Sequence, residues 1–182
     1  MATQAESDVQ IRAIQPGDAL TGLSLGDPAF LPLKTFVRRH AQVYERQNLS
    51  RTYGAFDVAN GNKLLGYVTL VCGEVALQNG DDALVHGEDV QYSYLQYPAV
   101  KIARLAVDRR FRKKGIGEEL VNLALGIAQE FICPNVGCRF VMVDAKAESV
   151  SFYTRRGFTT LDTHENRTRD EPVMFVDLSK LD

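Results

Sequence analysis

Arg112, Gly115 and Gly117 share one short run, RRFRKKGIG, set between an apolar stretch rich in β-branched residues and an amphipathic one. Glycines at such a junction let the chain turn tightly and bring several backbone amides towards a ligand, and the N-terminus of the following helix adds dipoles that favour phosphate. The spacing R-x-x-G-x-G is neither the G-x-G-x-x-G of a dinucleotide fold nor the G-x-x-x-x-G-K-[ST] of a Walker loop. Residues 101–114 carry Lys101, Arg104, Arg109, Arg110, Arg112, Lys113 and Lys114 against Asp108 alone, an excess of six positive charges. By charge alone such a run fits a solvated loop; its position after a strand and before a helix favours an anion site.

Metal chemistry is not expected. Cys133 and Cys138 are separated by four residues, where a zinc knuckle uses two, and a third cysteine leaves no closed set of disulfides. His40, His86 and His164 are scattered and form no H-E-x-x-H pattern.

The elements that must position the glycine run follow from the pattern of the whole chain. Its 182 residues are 45% hydrophobic and 24% charged with a net charge of -2, which fits one sizeable core and excludes a fibre or a wholly disordered chain. A single domain over residues 1–182 is expected, with 1–8 as a flexible tail. No apolar run approaches the roughly 20 residues that cross a bilayer, and the polar start MATQAESDVQ has no secretion signal, so a cytoplasmic protein away from membranes is expected.

QIRAI (10–14) alternates as a strand and stops at Pro16-Gly17-Asp18. FLPLKTFVRRHAQVYERQ (30–47) predicts one amphipathic helix, with Leu33, Phe36, Val37, His40, Ala41 and Tyr44 on the inner stripe. Strands are predicted at RTYGAF (51–56) and KLLGYVTLV (63–71), the latter running on towards EVAL, with a hairpin turn at Asn60-Gly61. Residues 78–98 read as a surface excursion, followed by strand AVKIARLAV (99–107). From Gly117 the positions Leu120, Leu123, Ala124, Ile127, Ala128 and Phe131 suit a helix on a sheet, ended by Pro134 and Gly137. Strand CRFVMVD, helix AESVSFYTRR, strand FTTLD, a charged loop HENRTRDEP and strand VMFVDL complete an α/β (α+β) pattern around a mixed sheet.

The run ARLAVDRRFRKKGIGEELVNLAL, with VDAKAESVSFYTRRGF about thirty residues later, resembles the GNAT family of N-acetyltransferases over roughly residues 10–178. The resemblance implies a mixed, mostly antiparallel central sheet flanked by helices, with acetyl coenzyme A as cofactor. It implies that the backbone at Leu105 and Val107 pairs with the pantetheine arm at a splay in the sheet. Amides from Lys113, Lys114, Gly115, Ile116 and Gly117 would take the pyrophosphate, with Arg112 opening the motif. Tyr153 would be the general acid for the departing thiolate, since a phenol with a reference pKa of about 10 stays protonated near neutrality. The alternative for Tyr153 is a buried aromatic with a satisfied hydroxyl. No base is fixed; Glu74 and Glu148 are candidates, and an amine arriving neutral needs none.

FLPLKTFVRRHAQVYERQNLSRTYGAF, LLGYVTL and AVKIARLAV further resemble the toxin branch of that family. That resemblance implies acetylation of the α-amine of aminoacyl-tRNA, a block of translation, a ribbon-helix-helix antitoxin as protein partner and, by family precedent, a homodimer. Lys34, Arg38, Arg39 and Arg46 would face the tRNA. They belong to a segment, 30–53, with an excess of four positive charges, and the alternative for them is a solvent-facing helix. An N-acetyltransferase for a small amine or a protein N-terminus, and a non-catalytic acyl-CoA-binding module, are the other readings.

Overall fold

The computed structural model describes residues 8–76 and 94–181. Among the described residues seven strands form one sheet in the order β1-β2-β3-β4-β5-β7-β6. They are β1 Val9–Ala13, β2 Arg51–Asp57, β3 Lys63–Ala76, β4 Gln96–Val107, β5 Phe140–Asp144, β6 Thr159–Thr160 and β7 Val173–Asp177. β1–β2, β2–β3, β5–β7 and β6–β7 are antiparallel and β4–β5 is parallel, the mixed, mostly antiparallel sheet expected. The helices are α1 Leu31–Arg39, α2 Ala41–Arg46, α3 Ile116–Ile127, α4 Cys133–Val136, α5 Val150–Thr154 and α6 His164–Arg167.

The chain divides into two compact units, one of residues up to Leu70 with Arg104–Leu123, the other of Val71–Ala103 with Ala124 onward. In the first, Phe36, Val37 and Ala41 of the helices pack with Phe56 of β2, Leu64 and Tyr67 of β3 and Ala106 of β4. Gly66 has no room for a side chain, because a Cβ would lie 2.8 Å from the carbonyl oxygen of Ala106. In the second, Val75, Tyr97, Ala99, Phe140, Met142 and Phe175 form the core. The Phe140 ring meets Tyr97 and Phe175 edge-on, at centroid distances of 5.8 and 5.2 Å, an arrangement that the ring quadrupoles favour.

Several predicted elements are corrected. The helix expected over 30–47 is two, because His40 at φ -116° opens the turn between α1 and α2; His40 leaves the inner stripe and is exposed. β4 begins at Gln96, so Tyr97 and Pro98 are strand, and Tyr97 is buried. Residues 78–93 of the expected excursion, and 1–7 of the expected tail, lie outside the described residues.

α3 passes into a π-helical turn at Ala128–Ile132 and then α4, so Pro134 sits in the first turn of a helix rather than ending one. The wider turn carries Phe131 off the buried stripe, leaving it 64% exposed. The charged loop after β6 contains α6, capped by the Thr163 hydroxyl accepting from the Asn166 amide at 3.1 Å. Buried Asn166 donates to the carbonyls of Leu161 and Val173 and accepts from the Val173 amide, which holds β7 to the end of β6.

Candidate active site

In the first unit β4 delivers the chain into a one-turn 3-10 segment, Arg109–Phe111, whose N-cap is Asp108. The Asp108 carboxylate is wholly buried. It accepts from the Ser24 amide at 2.9 Å, the Arg110 amide at 3.0 Å, and Nε and Nη2 of Arg110 at 2.8 and 2.6 Å. Burial alone would raise this carboxyl, but the bonds from Arg110 and Ser24 outweigh it and hold the group well below the usual carboxylate range. Arg112 donates through Nη2 to the Leu25 carbonyl at 2.9 Å and lies over the Phe30 ring at 5.6 Å. Arg104 lies 3.8 Å above the Phe36 ring.

The run of cations seen in the sequence is therefore largely committed to the fold. Arg104, Arg110 and Arg112 hold rings, carbonyls and a carboxylate, while Lys113 and Lys114 are exposed on the loop. Lys113 has φ +64° and Gly115 φ +85°, so left-handed residues alternate with Lys114 just before α3. A Cβ on Gly115 would meet nothing within 4 Å: the loop leaves open space there. Ile116 turns its side chain inward and is buried, so only its backbone faces the loop. The first amides of α3 have no acceptor one turn back within the helix. Loop and helix end together gather backbone donors of the kind that suits an anion.

β4 pairs with β5 only at Ala99, Val100 and Lys101. Past Lys101, among the described residues, the stretch of β4 that contains Leu105 and Val107 has no ladder on that side, and its peptide groups can pair with an amide-bearing arm.

In the second unit, a 3-10 turn at Ala147–Ser149 leads into α5, which carries Tyr153. Tyr153 is 5% exposed. Its ring meets Phe152 and Phe158 edge-on at 5.1 and 5.3 Å, and Arg156 covers the outer face of Phe152 at 3.7 Å. Burial pushes the Tyr153 hydroxyl up, against a smaller opposing effect of Arg156. Among the described residues no group accepts its proton.

The candidate bases separate. Glu148 is exposed in the 3-10 turn before α5. Glu74 lies at the edge of a cavity of about 310 Å³ in the second unit, with Lys101, Met142, Asp144, Glu165 and Arg169. Asp144 is held there by Lys101 and, at 3.2 Å, by Arg169. The Cys133 thiol donates to the Cys138 carbonyl at 2.7 Å, and that of Cys138 to the Phe140 carbonyl at 3.3 Å.

On α1 and α2, Arg38, Arg39 and Arg46 are exposed and Lys34 is half-buried. None of the four has an ion pair among the described residues, whereas neighbouring Arg51 is bound to Glu45 at 3.0 Å. The sequence reading missed Asp108 and Ser24; an aspartate directly after a strand and two residues ahead of arginine was the available signal for a capped turn.

The profile of the acetyltransferase (GNAT) family matches residues 27–158. The chain belongs to the GNAT acetyltransferase family. Among relatives of this GNAT protein is a tRNA-acetylating toxin of Mycobacterium tuberculosis, 28% identical over 148 residues, 81% of this chain and 82% of the relative. A mutant of KacT superimposes with a TM-score of 0.77 at 23% identity over 94% of this chain and 95% of that one. AtaT complexed with acetyl-methionyl-tRNAfMet gives 0.74 at 23% identity over 94% and 96%. No helix among the described residues is long and apolar enough to cross a membrane.

Proposed function

We propose that this GNAT protein is an acetyl-CoA-dependent toxin that acetylates the α-amine of aminoacyl-tRNA and so blocks translation. The observation that carries the reading is a left-handed, open loop at Lys113–Gly117 together with four cations on α1 and α2 that have no ion pair among the described residues: one suits a coenzyme, the other a polynucleotide. The relatives support the same class of acceptor, the M. tuberculosis protein being a tRNA-acetylating toxin.

When bound, acetyl-CoA supplies an acetyl group activated as a thioester. Backbone amides of Lys113, Lys114, Gly115, Ile116 and Gly117 hold the diphosphate, and Gly115 leaves the room for its approach. Peptide groups at Leu105 and Val107 align the pantetheine arm. The Tyr153 hydroxyl stays protonated through the working pH range because burial disfavours the phenolate, and it gives its proton to the leaving sulfur. The amine attacks neutral and loses its proton to water, with neither Glu74 nor Glu148 required. Lys34, Arg38, Arg39 and Arg46 bind tRNA phosphates. A ribbon-helix-helix antitoxin and self-association as a homodimer belong to the same reading, as does action in the cytoplasm within a single-domain protein.

Purified protein is incubated with labelled acetyl-CoA and total charged tRNA, deacylated tRNA or a pool of small amines. Label on charged tRNA alone is expected. Label on small amines alone rejects the tRNA acceptor and leaves the coenzyme loop standing.

A further inference from the structure

We propose that Asp108 is the positioning residue of the diphosphate loop, its carboxylate tying residues 22–25 to the turn after β4 and thereby fixing the backbone of Lys113 and Gly115. The inference rests on the coenzyme reading of that loop. Lys113 carries a side chain at φ +64°, a conformation that a residue with a Cβ adopts only where its surroundings hold it. The holding contacts lie on either side of the 3-10 turn. Before it, the Ser24 amide donates to Asp108 while the Ser24 carbonyl accepts from the Arg109 amide at 2.7 Å. After it, Arg112 donates to the carbonyl of Leu25, the next residue. The loop 22–25 is thus a splint, gripped once by Asp108 and once by Arg112.

Asp108 does not itself bind diphosphate. A carboxylate repels that ligand, and this one is saturated by Ser24 and Arg110. Its influence reaches the coenzyme only through the backbone that it orders, so its loss should weaken binding of the diphosphate and spare the pantetheine arm.

The test is isothermal titration of full-length wild type and Asp108→Asn with acetyl-CoA and with acetyl-pantetheine, which lacks the diphosphate. The variant keeps the shape but loses the charge-assisted bonds, and Kd for acetyl-CoA is expected to rise roughly tenfold while that for acetyl-pantetheine moves less than about twofold. Equal weakening of both ligands, or an unchanged Kd for acetyl-CoA in a folded variant, overturns the proposal. Should Asp108→Asn not fold, Arg110→Gln keeps the carboxylate and its backbone donors; the same selective loss, several-fold in size, is expected from it, and an equal or absent loss overturns the proposal. Wild type that binds neither thioester overturns the reading of the loop and the role of Asp108 with it.

Discussion

Phe158 closes on Tyr153 twice: its amide donates to the Tyr153 carbonyl at 3.2 Å, and the two rings meet edge-on at 5.3 Å. The reversal needed for this contact is made at Gly157, at φ +81°. The ring of Tyr153 is therefore fixed by the segment that follows it, and among the described residues its hydroxyl has no acceptor. Removing only that oxygen tests the proton donor without disturbing the packing. Tyr153→Phe is expected to lower kcat roughly a hundredfold or more and to leave acetyl-CoA affinity within about twofold by titration. A parallel loss of kcat and affinity would make the residue a packing element.

Arg38→Glu with Arg46→Glu reverses two exposed charges that have no ion pair among the described residues. If both meet phosphates, the slope of log K against log salt for tRNA falls by about 1.4 to 1.8, with acetyl-CoA binding unchanged. Filter binding across a salt series measures this, and an unaltered slope would remove the α1–α2 surface from the tRNA site.

Two glycines separate function from folding. Gly115→Ala adds a methyl that meets no protein atom within 4 Å, so its fold cost is the left-handed backbone alone, about 1 kcal/mol. Acetyl-CoA affinity is expected to fall more than tenfold, since the methyl enters the space left for diphosphate. Gly66→Ala would press its methyl into the Ala106 carbonyl and is expected to lower the melting temperature by about 10 °C or more. Thermal melts and titrations of the two variants should show opposite rankings.

Asp108 gives a pH signature. Its carboxyl titrates lower in the folded chain than in the unfolded one, so the unfolded state binds the proton first. The carboxylate's contribution to stability is complete above the ordinary carboxylate range and drains away as pH falls from about 4 towards the lower folded value. The gap in melting temperature between wild type and Asp108→Asn should therefore be widest near neutrality and narrow below about pH 4. A gap constant across that range would show that the charge is not what stabilises the turn.

Most strands were legible because alternation and β-branched runs report burial directly, as at KLLGYVTL. The glycine loop was equally plain, since R-x-x-G-x-G names a backbone shape. What escaped was set by tertiary partners. Charge counting grouped Arg110 and Arg112 with the other cations of 101–114, but whether an arginine meets ligand or fold depends on Asp108 and Leu25, and Leu25 is far away in the chain. His40 fitted the helical stripe by period, yet its φ of -116° turns it outward. Phe131 fitted too, until one wide turn shifted the phase of all that follows.

That wide turn at Ala128–Ile132 has the character of a one-residue insertion into a helix that would otherwise run smoothly from α3 to α4. Excising Gln129 would restore an ordinary α-helical ladder there while Cys133–Val136 keep the facing they have now. This short stretch can thus absorb a change in chain length that β4 or β5 could not, because there a single-residue slip turns every buried side chain to the wrong face.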